Sequence, residues 1–408
     1  MGYRPGAGQD LNGRQFDVVC VGCGPAGNLC AWRLARAGHR VLLIDRSDLP
    51  RNKTCGGGLS ARALALLPFD IAPVVHRRMD GARLTLAGRT LADIDSPGIG
   101  AMIERAEFDQ FMSRQAVAAG AELWPATELL GFQQQPDGLT VRTARGTVQA
   151  RLLIGADGAH SRVRQLLFPD WQPDWAIGLE ARFRWPPDAA PRNDPFDRAS
   201  FDFGALDTGY GWIFPKRDHF NVGIYRLHKP DGAAGMKAQF DRFVLANPLL
   251  HDCRRETSQG HPIPLSNGRQ PLAKGRALLV GDAAGLGEAF LGEGIAFALD
   301  SAGRAADWAD RMLRQSGPPV VRDYLRALRP LTRELRYSLR IARLLYRLPA
   351  PLLERTAADP GVQRVVVGLL HGRRSYRASF WRLLWQVPLA LWTAADVAPL
   401  QQPPAQAD

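Results

Sequence analysis

The sequence predicts an α/β protein in which a parallel sheet is interrupted by an inserted antiparallel sheet and followed by a helical C-terminal region. Three observations predict it. A glycine-rich turn follows an apolar strand at residues 16–27, two later strand-to-turn signals carry Asp157 and Asp282, and residues 176–267 break into short aromatic strands. Strands that alternate with helices build parallel sheets, whereas short strands between turn signals build antiparallel ones.

The first motif, FDVVCVGCGPAG, reads as a buried strand, a G-x-G-x-x-G loop at Gly22, Gly24 and Gly27, and a helix from Pro25 and Ala26 to about Gly38. Gly22 permits the tight turn, Gly24 lets the backbone approach a pyrophosphate, and Gly27 lets helix and strand pack closely. The helix N-terminus offers free N–H groups to the anion. A second strand, HRVLLID, ends at Asp45, next to Arg46, where an acid takes ribose hydroxyls. The motif defines a Rossmann-like dinucleotide site. By itself it leaves NAD and FAD open.

The 408 residues, 46% of them hydrophobic, suffice for two domains with a sizeable core. Residues 1–14 are polar and glycine-rich, lack the apolar stretch of a signal peptide, and read as a flexible tail. Five cysteines without framework spacing point to a reducing compartment, hence the cytoplasm. Cys20 and Cys23 straddle the strand end and read as packing residues, and the scattered histidines give no metal centre. The net charge of +12 is concentrated: residues 301–385 hold seventeen arginines, no lysine and six acids. A solvated helical face, nucleic acid and a membrane surface are the three readings of such a patch.

In chain order, the second strand is followed by RNKTCGGGL, a glycine-rich loop that brings Cys55, Gly56 and Gly57 against a ligand. Lys53 stands near the Cys55 thiol and would lower its pKa, making it reactive; a buried, inert thiol is the equal alternative. A small hairpin is expected near residues 80–100, then a helix opening at Arg105, which either holds a phosphate or pairs with a neighbouring acid. RLLIGADGAHS is the second signal: a strand enters a turn with Asp157 and Gly158, and a helix starts near Ser161. The third is ALLVGDAAG, which delivers Gly281 and Asp282, with Gly292, Gly294 and Ile295 opening the next helix. These observations give residues 15–175 and 268–320 as two parts of one nucleotide-binding domain, 176–267 as an antiparallel-sheet substrate domain and 321–408 as a basic helical region.

Together the three signals resemble the flavoprotein group that includes para-hydroxybenzoate hydroxylase, and within it the geranylgeranyl reductase family. KTCGGG at 53–58 is similar to that family's cysteine-glycine loop, and YGWIFP at 210–215 fits its Y-x-W-x-F-P pattern. The resemblance implies a glutathione reductase/para-hydroxybenzoate hydroxylase-type fold and FAD rather than NAD. It implies that Gly22, Gly24, Pro25, Ala26 and Gly27 face the pyrophosphate, and that Asp45 and Arg46 face the adenosine side. Gly56, Gly57, Arg105, Asp157, Gly158, Gly281, Asp282, Gly292, Gly294 and Ile295 complete the cofactor site, and Cys55, Tyr210 and Trp212 border the substrate. The implied reaction is reduction of isolated double bonds of a prenyl lipid by hydride from reduced flavin plus a proton. No second G-x-G-x-x-G follows, so NAD(P)H at a transient site or an electron-carrier protein is the expected reductant. A hydrophobic substrate favours peripheral contact of the basic C-terminal region with the inner face of a membrane, and no nucleic acid.

Two departures from the family stand out. Asp45 occupies a position where related flavoproteins often have Glu, and Ala289 and Leu291 replace the proline and threonine of a P-x-T-G-E-G loop. The rival activities are a flavin monooxygenase acting on an aromatic or protein side chain, and a flavin-binding maturation or sensor protein without turnover. Tyr210 and Phe214 break the W-x-W-x-I-P pattern of flavin halogenases.

Overall fold

The first apolar run folds as the strand Gln15–Val21, and both of its parallel neighbours come from further along the chain. Val41–Ile44 lies on one side and Gly146–Gly155 on the other. Glu122–Trp124 extends the sheet beyond Val41–Ile44, and Ala277–Leu279 extends it beyond Gly146–Gly155, all in parallel. The strand order therefore reverses at Gln15–Val21, and a crevice opens at the strands' C-terminal ends, where open α/β sheets bind ligands. Val18, Val19, Leu42, Leu43, Leu153 and Ile154 are fully buried, as strands covered on both faces require. Helices Pro25–Arg36, Arg105–Ala118 and Gly294–Arg314 pack together on this sheet.

The computed structural model describes residues 11–186, 197–206, 208–227, 235–256, 258–315, 317 and 320–392, the last seven by their backbone. Of the expected flexible tail, residues 1–10 lie outside the described residues. Residues 11–14 are not a tail. Leu11 is fully buried, its N–H donates to the Arg145 carbonyl at 2.9 Å, and Arg14 grips Glu122 through both guanidinium nitrogens at 2.5 and 2.7 Å. A single leucine that finds the core orders the turn behind it.

The second sheet has nine strands, with Asp174–Arg184, His219–Leu227, Gly209–Pro215 and Arg198–Asp202 in its middle. Its pairings are antiparallel except one. Arg198–Asp202 runs parallel to Val75–Leu86, which forms a long hairpin with Arg89–Ile103. The small hairpin expected near 80–100 in the nucleotide domain is thus larger, and its strands complete the second sheet instead. Alternation of apolar and polar residues announced the strands, but their partner is more than 110 residues away. Four helices, Val321–Leu345, Ala350–Ala358, Pro360–Leu370 and Tyr376–Trp392, follow the nucleotide domain. Among the described residues no helix is long and apolar enough to cross a membrane.

Candidate functional site

All residues singled out for the site except Gly27 line one continuous cavity between the two sheets. Gly27 lies just behind it: a Cβ there would stand 1.9 Å from the Gly22 carbonyl oxygen, so its role is the close helix-to-loop packing. Gly22 has φ +108°. Gly24 presents open space, with no atom nearer to an added Cβ than the Arg105 and Arg51 guanidiniums at 3.9 Å. A backbone cradle at a helix N-terminus, flanked by two cations, fits a pyrophosphate.

The two cations are held by acids. Arg105 donates to both oxygens of Asp109 at 2.9 and 2.8 Å, and Arg51 lies 3.3 Å from Asp109 and 3.4 Å from Asp45. Asp45 is buried and accepts from the Cys23 and Ser47 amides at 2.7 and 2.9 Å, which fixes the glycine loop; Oδ2 also takes Arg51 Nε, and Oδ1 retains a lone pair for a ribose hydroxyl. Asp157 departs from expectation. Its oxygens accept from the Ser161 hydroxyl and from the Arg162 and Val163 amides, so the side chain caps the helix Arg162–Leu167 rather than remaining free for the cofactor. Gly158, at φ +77° with nothing within 4 Å of an added Cβ, leaves backbone facing the cavity there. Asp282 also lines the cavity, and its carboxylate has no partner among the described residues.

The cysteine-glycine loop is held from the second sheet. Lys216, fully buried, donates from Nζ to the carbonyls of Gly56, Gly57 and Ile103 at 2.7, 3.2 and 2.7 Å. Gly57 has φ +65° and no room for a side chain, since a Cβ would stand 2.2 Å from the Ile103 oxygen. Gly56 lies against the rings of Phe214 and Trp212, both about 3 Å from an added Cβ. Trp212 Nε1 donates to Asn221 at 2.7 Å, Asn221 donates to Glu180 at 3.3 Å, and Glu180 accepts the Cys55 amide at 2.9 Å. Lys53 does not bond the Cys55 thiol: its ammonium donates to His261 Nε2. Burial draws Lys53 down to about 8, and burial together with the Lys53 charge draws His261 down to about 3.

Opposite, three consecutive carbonyls of the loop before Gly294–Arg314 are each capped by a tyrosine. Tyr225 donates to Ala289 at 3.0 Å, Tyr346 to Phe290, and Tyr210 to Leu291 at 2.8 Å. Buried Glu288 accepts from the amides of Phe290, Leu291 and Glu293, and from Ser338. Thus Ala289 and Leu291, the departures from the family's loop, sit in a backbone fully satisfied from elsewhere. The Glu293 oxygens are buried and lack a hydrogen bond of good geometry among the described residues; burial lifts the carboxyl to about 7, with the nearby Ser60 hydroxyl opposing the shift and the Glu288 charge adding to it. Arg51, Lys216, Glu288, Glu293, Tyr225 and Tyr346 were not among the expected site residues. The glycine and aromatic patterns around them were legible, but their contacts join segments far apart in sequence.

The cavity is also lined by Met79, Ile99, Met102, Ala199 and Leu370, an apolar group that packs as one cluster with Phe214.

A glycine cradle flanked by cations, a free acid at the Gly281–Asp282 turn and an adjoining apolar chamber define an FAD-dependent oxidoreductase. The model of FAD binding domains matches residues 15–172. The chain is 30% identical over 325 residues to digeranylgeranylglycerophospholipid reductase 3 of Methanosphaera stadtmanae, covering 72% of this chain and 78% of that protein. It is 31% identical over 336 residues to the menaquinone reductase of Mycobacterium tuberculosis, covering 75% and 80%. The fold is shared with a geranylgeranyl bacteriochlorophyll reductase-like protein from Thermoplasma acidophilum, at TM-score 0.76 and 23% identity over 91% of this chain and 98% of that one. The chain belongs to the geranylgeranyl reductase family of FAD-dependent oxidoreductases.

Proposed function

We propose that this protein reduces isolated double bonds in the prenyl chain of a lipid. The observation that carries the reading is the apolar part of the lining, Met79, Ile99, Met102 and Ala199, which belongs to the same cavity as the cofactor cradle and adjoins Trp212 and Phe214. The names of the relatives point the same way, to prenyl and quinone lipids. Reduced FAD, when bound, supplies a hydride. The Gly22–Gly27 loop, Arg105, Arg51 and Asp282 would hold it.

The remaining tasks fall to the protein. An isolated alkene is a poor hydride acceptor, so a proton must reach one carbon while hydride reaches the other. Met79, Ile99, Ala199 and the aromatic wall exclude water and orient the chain. Lys216 and the Trp212–Asn221–Glu180 relay fix the Cys55 loop as one edge of the chamber. Glu293 supplies the acid: its carboxyl, raised to about 7, is still about half protonated at neutral pH, where ordinary carboxylates have lost their protons. The family implies a reduced nicotinamide or an electron-carrier protein as reductant. Exposed Trp381 and Trp385 among arginines support peripheral contact with an anionic membrane.

An anaerobic reoxidation tests the reading. The purified protein is reduced with dithionite and given a geranylgeranyl lipid. Flavin reoxidation with a mass gain of one H2 per double bond is expected. A flavin that stays reduced until oxygen is admitted would turn the assignment to a monooxygenase.

A further inference from the structure

Behind Glu293, on the side away from the cavity, the protein buries more polar atoms than it pairs. The Tyr376 side chain is fully buried, and its hydroxyl has no hydrogen-bond partner among the described residues. Ser379 Oγ, one turn further along the same helix, is buried and unpartnered too. The Glu293 oxygens, without a hydrogen bond of good geometry, make a third such group. Buried polar atoms are satisfied by protein or by ordered water, so neighbouring orphans point to water held between them.

Four helices bring these groups together. Ala61–Ala65 packs on Gly294–Arg314, which packs on Val321–Leu345, which in turn packs on Tyr376–Trp392. Phe297, one turn after Glu293, has its ring centroid 6.1 Å from that of Tyr376, and the Arg62 guanidinium lies 4.4 Å from the same Phe297 ring. Tyr376 is held through its backbone N–H, which donates to Glu334, and the Arg62 stem lies against Gly372, where a Cβ would come within 3.3 Å of it. Burial pushes the Tyr376 phenol well above its ordinary range; the Glu288, Glu293 and Glu334 charges add to this and Arg62 opposes it, so the hydroxyl keeps its proton. Glu293 and Ser60 line the cavity, whereas Tyr376, Phe297 and Arg62 do not. The groups therefore run outward from the cavity wall. Glu293 stands at the inner end with Ser60 and the Ser338-bonded Glu288, the Tyr376 hydroxyl lies behind, and half-buried Arg62 and Glu334 form the outer end.

An acid in a dry chamber has to be recharged. Once Glu293 has given its proton to one alkene carbon, with hydride from reduced FAD going to the other, it is left as a buried carboxylate. A prenyl chain lying against Met79, Ile99 and Ala199 then shuts out water from the front. We propose that Glu293 is reprotonated from behind, through ordered water and the Tyr376 hydroxyl. The Tyr376 O–H passes its proton through water to the Glu293 carboxylate and takes another from water on its outer side. The phenol ends neutral, no electron moves, and the net change is one proton carried from solvent to Glu293. Tyr376 is thus a positioning residue that acts through Glu293 and never meets the substrate. The proposal rests on the prenyl-reductase reading above, in which Glu293 is the acid.

Infrared difference spectroscopy of the FAD-loaded protein, which needs no turnover, tests the route. The C=O stretch of the protonated Glu293 carboxyl is identified by its loss in Glu293→Gln. Its shift is then timed after transfer to D2O, with phytanol, a saturated chain that cannot be reduced, filling the chamber. Tyr376→Phe removes one unpartnered oxygen and keeps the ring, so folding is expected to be kept, with circular dichroism as the check. Exchange is expected to be about tenfold or more slower in Tyr376→Phe than in the parent. Kinetics supply a second readout. In a single anaerobic turnover on a geranylgeranyl lipid the variant, protonated beforehand, should match the parent; in continued turnover with dithionite it should fall behind several-fold, and further behind in D2O. Equal exchange in the two proteins would overturn the proposal, and so would a single-turnover rate that falls as far as continued turnover, the mark of a merely structural change. If the parent reduces no prenyl lipid and exchange still depends on Tyr376, the reductase reading fails while the proton route stands. If the parent reduces the lipid and exchange ignores Tyr376, the route fails and the reading stands.

Discussion

Glu293 and Lys216 show how single buried side chains set the chemistry of the site. The Glu293 carboxyl is raised to about 7, so the folded protein keeps a proton that the unfolded chain releases above the ordinary carboxylate range. Its contribution to stability is complete below that range and is lost as pH rises towards 7. Thermal melts at about pH 5 and about pH 8 are expected to show this loss in the parent and not in Glu293→Gln, which should also retain FAD but lose most of its turnover. Lys216 caps three carbonyls, and Lys216→Met would remove that donor from Gly56 and Ile103, whereas Gly57 keeps the Ile103 amide at 2.8 Å. Orphaned buried acceptors cost on the order of 1–3 kcal/mol apiece, so chemical denaturation should show a loss of at least about 2 kcal/mol. Neither role was legible in the sequence. Lys216 simply follows the aromatic-proline motif, and its acceptors lie more than 100 residues upstream. Gly22, Gly24 and Asp45 were legible because their work is done within one strand-turn-helix unit. Asp157 misled because a carboxylate at a strand end can serve either a ligand or the next helix.

Among the elements, the loop before Gly294–Arg314 is the most over-determined. Three tyrosines from two different parts of the chain cap consecutive carbonyls, and Glu288 gathers the amides, so the backbone has one conformation available to it. Tyr346→Phe uncaps Phe290 and is expected to cost about 1–2 kcal/mol and to speed FAD release, measured by flavin fluorescence during dilution. The helix Tyr376–Trp392 is its opposite, with Trp381 and Trp385 exposed at 51% and 75%. Replacing both by serine should leave FAD content intact and reduce co-sedimentation with anionic vesicles several-fold, an effect that high salt reproduces in part. The sequence showed which segments become strands and helices because that information is local and periodic. It did not show that the 75–103 hairpin joins the second sheet, because strand partnership is decided by packing across the whole chain.

For the molecule as a whole, the cofactor should act as a structural member. A ligand bound only by the folded state adds about 2.7 kcal/mol at a hundredfold excess over its dissociation constant. FAD removal is therefore expected to lower the melting temperature, and FAD addition to restore it. The parallel sheet that holds the cradle takes its strands from residues 15–21, 41–44, 122–124, 146–155 and 277–279. Asp282, on the cofactor side, comes directly after the last of them. During synthesis the glycine loop thus emerges long before the strand that completes its surroundings, and the second sheet must be threaded between. The ribosome releases an assembled cradle only after about two thirds of the chain has been made, so acquisition of FAD is a late event that follows sheet closure, with slow pairing of distant strands as the step before it.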